Sequence, residues 1–112
     1  SLSDEKIKEN IVDATDKLND IKKVRIRNFN IIGHSTKQIG VVAQELETVF
    51  PGLVDTIKDP IDEDAVDEDG NQIETETKAV KYSVFVPILI KAMQEQQTLI
   101  EALTDRITAL EG

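Results

Sequence analysis

The sequence predicts an α+β chain: a small mixed globular part, an acidic β-hairpin standing off it, and a long C-terminal coiled-coil helix. Three observations carry that prediction. Residues 24–29 alternate along the chain with β-branched side chains among them, the pattern of a strand. Asp69-Gly70 lies between two extended stretches, the signature of a tight hairpin turn. From Val86 to Leu110 apolar residues recur at alternating three- and four-residue steps, the period of a helix packed against other helices.

The length of 112 residues fits one domain, or one small domain plus an extension. Only about two-thirds of the unfolded surface of such a chain is buried on folding, so the core is modest. Aromatic residues make up 4% with no Trp, which is thin for a self-sufficient globule and leaves room for oligomerisation. The absence of Cys excludes disulfides, thiolate metal sites and Cys nucleophiles. No apolar run approaches the roughly 20 residues that span a bilayer, and the polar opening does not read as a signal peptide. A net charge of −9 argues against nucleic acid and anionic membrane as partners.

That charge is unevenly placed. Residues 1–44 carry 8 basic and 6 acidic side chains, residues 45–76 carry 12 acidic ones and a single Lys, and residues 77–112 carry 4 of each. The middle block repels itself and belongs in water.

Taken in order, Ile7, Ile11, Ala14, Leu18 and Ile21 have helical spacing, so a helix is expected from about Ile11 onward. The strand that follows puts Val24, Ile26 and Asn28 on one face and Arg25, Arg27 and Phe29 on the other. Gly33-His34-Ser35-Thr36 is a turn, and Ile39–Ala43 suits a second strand pairing back on the first. Glu45–Phe50 gives one or two helical turns stopped by Pro51-Gly52. Gln44 reads as the cap of that helix, and Glu45 as a carboxylate favoured by the macrodipole in its first turn. Leu53, Val54 and Ile57 begin an extended stretch that Pro60 limits. Arms at about 61–67 and 72–80, joined by a two-residue Asp69-Gly70 turn, form the acidic hairpin. An EF-hand offset on Gly70 would place Ala65 at the first ligand position, so no metal site is expected. No cofactor is expected either.

Pro87 fits the first turn of the last helix. Val86, Met93, Ile100 and Ile107 take the a positions, and Leu89, Gln96, Leu103 and Leu110 the d positions. Ile at a with Leu at d favours dimers, while the polar Gln96 layer complicates strand number, so two or three chains remain open. The chain divides into residues 1–83, which include a hairpin region at about 54–80, and residues 84–112.

Three stretches together are similar to a known family. SDEKIKENI at Ser3–Ile11, IGVVAQELETVFPGLV at Ile39–Val54 and VKYSVFVPILIKAMQEQQ at Val80–Gln97 resemble the self-cleaving C-terminal chaperone domain of phage endosialidases, tailspikes, tail fibres and neck appendages. The resemblance implies a homotrimer. It would guide folding of the upstream fibre part of its own polypeptide and then cut itself off. This would happen in the host cytoplasm during phage assembly, leaving the chaperone absent from the mature virion. It also implies a catalytic Ser-Lys pair, here Ser3 and Lys8, with the scissile bond at Leu2–Ser3. Supporting roles implied by relatives fall on His34, the only His, and on Lys81, which keeps the charge of an Arg but not its fork.

On chemistry alone, a Ser hydroxyl becomes a nucleophile when a neighbouring base accepts its proton. A Lys serves only where desolvation or a nearby cation disfavours its charge. Without the resemblance, Ser3 before Asp4-Glu5 reads as a helix N-cap, and His34 as an exposed loop residue. A five-residue spacing turns about 500° on a helix and gives opposite faces on a strand. Contact between Ser3 and Lys8 therefore requires a bend, or the Lys of another chain. Either route would make cleavage wait for assembly.

Overall fold

The long C-terminal helix α3 (Phe85–Glu111) is the axis on which the rest of the chain is hung, in a computed structural model that describes residues 1–112. Ahead of it run α1 (Leu18–Ile21), β1 (Arg27–Phe29), β2 (Gln38–Gly40), α2 (Ala43–Glu47), β3 (Val54–Lys58) and β4 (Glu76–Val80). Short 3-10 turns at Glu5–Ile7, Pro51–Leu53 and Tyr82–Val84 complete the chain. The architecture is α+β, with two separate two-stranded antiparallel sheets.

In the first sheet Asn28 pairs with Ile39; in the second, Val54 pairs with Val80 and Lys58 with Glu76. Leu46, Phe50, Leu53 and Ile88 form the core, with Ile21, Val24 and Val80 packed around them. It sits where α2, the base of the second sheet and the first turns of α3 meet. Only 5 of the 112 residues are buried, which is too little interior for a chain of this size to be self-contained. The radius of gyration is 21.4 Å, against about 13 Å for a compact domain of this length.

The opening helix is shorter than its spacing predicts. Only Leu18–Ile21 is helical, and Ile11 and Val12 stand 70% and 84% exposed. An apolar stripe forms a helix when a second surface buries it, and nothing covers residues 9–16 here. The hairpin also differs. Its regular ladder is at 54–58 and 76–80, because Pro60 ends β3 and Asp62–Ala65 turns; of the expected 61–67 arm only the end pairs across, through a single Val66–Gln72 bridge. The tip is a three-residue loop, Glu68–Gly70, in which only Gly70 has positive φ, at 80°. Asp67 enforces this form: its Oδ1 accepts the N–H groups of Asp69 and Asn71, both at 2.9 Å.

Helix α3 presents two faces. Ile88 and Ala92 are buried against the globular part. The stripe Val86, Leu89, Met93, Gln96, Ile100, Leu103, Ile107 and Leu110 is exposed, its apolar members from 51% to 87%.

Candidate functional site

The first eight residues fold back on themselves. Asp4 is extended, Glu5–Ile7 makes one 3-10 turn, and Lys8 is extended again, at φ −117° and ψ 146°. The outcome is a direct contact: Lys8 Nζ lies 2.6 Å from Ser3 Oγ. This is a bend within a single chain, so the contact itself does not wait for a second copy. The cap of the turn is Asp4, not Ser3, which leaves the Ser3 hydroxyl free to meet the amine. Both partners face water in the single chain.

His34 and Lys81 are not drawn to this pair by any hydrogen bond. His34 is exposed in its turn, where its carbonyl accepts from Asn30 Nδ2 at 2.9 Å. Lys81 closes the base of the second sheet. Its N–H donates to the Leu53 carbonyl at 2.9 Å, and its Nζ lies 3.3 Å from Asp55 Oδ1.

The β1–α2 corner holds an ion cluster that sequence reasoning approached without assembling. Arg27 forks onto Glu45, with Nε at 3.0 Å and Nη2 at 2.7 Å, and Arg25 Nη1 stands 3.7 Å away. The alternation of residues 24–29 in the sequence puts both guanidiniums on one face, which was the available signal. The Arg27 hydrogen bond, opposed in part by desolvation, holds the Glu45 carboxyl below its usual range, and the charges of Arg27 and Arg25 add to the effect. Gln44 does not cap α2. Val42 is the cap residue, and its carbonyl accepts from Glu45 and Leu46.

Two further links were invisible in the sequence. The Tyr82 hydroxyl accepts the Val41 N–H at 3.3 Å, tying the entry of α3 to the end of β2. Asp59, where the ladder ends, accepts from the hydroxyls of Thr75 and Thr77 at 2.6 Å each, and those bonds lower its pKa against desolvation. Such polar partners lie far apart in sequence and follow no period.

Residues 3–55 match the family described as chaperone of endosialidase, Peptidase S74. The fold matches a crystal structure described as a novel intramolecular chaperone, at a TM-score of 0.64 and 22% identity. That match covers 86% of this chain and 98% of the other. No curated protein sequence matches the chain.

Proposed function

We propose that this chain, whose residues 3–55 match the chaperone-of-endosialidase family model, acts as a member of that family: it forms a homotrimer and guides folding of the phage fibre part upstream of it. It then frees itself by a single cut before Ser3. The observation that carries the reading is the 2.6 Å contact between Lys8 Nζ and Ser3 Oγ.

The chemistry follows from that contact. An uncharged Lys8 amine takes the Ser3 hydroxyl proton, and Oγ attacks the carbonyl carbon of Leu2. The Leu2–Ser3 C–N bond breaks, and the departing Ser3 nitrogen receives the proton held by Lys8. Water then hydrolyses the ester between Leu2 and Ser3 Oγ, giving a Leu2 carboxylate and restoring the Ser3 hydroxyl. No metal or cofactor takes part, and each chain is cut once.

Assembly is supported by the α3 stripe. Three copies brought together along it would bury a row of side chains that one copy leaves in water. The acidic second hairpin, repelled by its own neighbours, would reach toward the fibre as an arm. The freed chaperone would stay behind in the host cytoplasm and be absent from the virion.

Intact mass of a chain carrying upstream fibre residues tests the reading. The expected product begins at Ser3 and disappears in Ser3→Ala and Lys8→Ala, both still trimeric. Processing at Leu2–Ser3 in either variant would overturn the pair. A wild type that stays uncut but trimeric would leave a plain assembly module.

A further inference from the structure

Ser3 and Lys8 are at a spacing that neither a helix nor a strand closes, so the turn between them decides whether they meet. That turn is weak by itself. It is one short 3-10 segment closed by two backbone bonds, Ile7 N–H to Asp4 C=O and Lys8 N–H to Glu5 C=O, both at 3.1 Å. Hydrogen-bond geometry in a 3-10 turn is poor, and residues 1–10 are all exposed, so packing contributes little. One side chain supports it: Asp4 Oδ1 accepts the Lys6 N–H at 3.0 Å. Asp4 itself, at φ −65° and ψ 138°, has the extended backbone of a cap residue.

We infer that Asp4 is a positioning residue for the Ser3–Lys8 pair: its side-chain oxygen caps the turn that carries the Lys8 amine back onto the Ser3 hydroxyl. The inference rests on the cleavage reading above. Asp4 touches neither reacting atom and acts through the backbone of Lys6. The capping bond needs an acceptor oxygen and no charge, so Asn can replace Asp, whereas Ala cannot.

The test compares cleavage rates, by intact mass over time, in the chain bearing its upstream fibre part. Asp4→Ala is expected to slow the cut about fivefold, the rate equivalent of a lost cap. Asp4→Asn is expected to restore nearly the full rate. Glu5→Gln removes a neighbouring charge and no hydrogen bond of the turn, and is expected not to slow the cut. Full-rate cleavage by Asp4→Ala overturns the assignment. So does Asp4→Asn being as slow as Asp4→Ala, or Glu5→Gln matching that loss, since either makes the effect one of charge. Sedimentation of the four proteins should be the same; loss of assembly in Asp4→Ala would make its role structural and overturn the inference. A wild type that does not cut, or a Ser3→Ala that does, strikes the cleavage reading itself.

Discussion

Glu95 caps a helix to which it does not belong. Its Oε2 accepts the backbone N–H of Leu18 at 3.1 Å and that of Lys17 at 2.7 Å, from 77 and 78 residues away. Lys17, the residue at the cap position of α1, makes no side-chain capping bond of its own.

A helix of four residues cannot hold itself, so α1 depends on that carboxylate. Glu95→Ala should fray α1 and cost about 1–2 kcal/mol, with Glu95→Gln milder because an acceptor oxygen remains. Amide exchange at Leu18, with urea unfolding, measures this. Unaltered protection at Leu18 in Glu95→Ala would show that packing on α3 alone starts the helix.

Acid should loosen the β1–α2 corner. Glu45 has its folded pKa lowered, first by the Arg27 hydrogen bond, from an ordinary value of 4.5. A depressed carboxylate contributes stability above its unfolded pKa, and loses that contribution as pH falls through the folded one. The corner's share is therefore fully present above about pH 5 and fades below 4.5. Glu45→Gln should flatten that part of a urea-midpoint profile against pH. An unchanged slope would place the acid sensitivity elsewhere, with Asp59 the next group to examine because its pKa is also lowered.

Among the glycines, Gly40 has the least room for a side chain. A Cβ there would lie 2.8 Å from the Tyr82 hydroxyl oxygen and 3.3 Å from Phe29 Cε1. Gly40→Ala should cost on the order of 1 kcal/mol, because the exposed end of Tyr82 can shift only by weakening its bond to Val41. Adding Tyr82→Phe removes the crowding oxygen, so the double variant should lose less than the sum of the singles. Strict additivity in thermal unfolding would mean that the two sites do not meet.

Ile100→Asp places a carboxylate on the exposed α3 stripe, where a trimer would bury it at a cost of several kcal/mol, on the order expected for an unpaired buried charge. Sedimentation at micromolar concentration should then show monomers. Cleavage should fall as well. Ser3 and Lys8 already touch in one chain, but both stand in water, and burial is what disfavours a charged amine. Efficient cutting by the monomer would show that contact alone suffices.

The elements that were legible in the sequence are those whose period is enforced by burial or by Pro and Gly. The α3 spacing and the strand at Arg27–Phe29 appear close to where they were expected, whereas α2 runs from Ala43 to Glu47, two residues ahead of its expected start, and Pro51 opens a 3-10 turn. Residues 11–17 misled because an amphipathic spacing states only that a helix is possible, and no surface arrives to bury Ile11 and Val12. The two-residue reading of Asp69-Gly70 failed for a different reason. The carboxylate of Asp67, two residues earlier, binds the loop's own N–H groups and selects a longer loop. At the candidate site, the Ser3–Lys8 spacing showed that a bend was needed. It did not show that Asp4, next to Ser3, would make it.

Every hydrogen bond that shapes the Ser3–Lys8 contact lies within residues 3–8, whereas everything that links the chain's start to its body begins at Lys17. Between them runs an exposed stretch with no regular structure. The two regions are therefore structurally separate. Substitutions, insertions or deletions across residues 9–16 would change how far the N-terminal turn can roam without altering its internal shape.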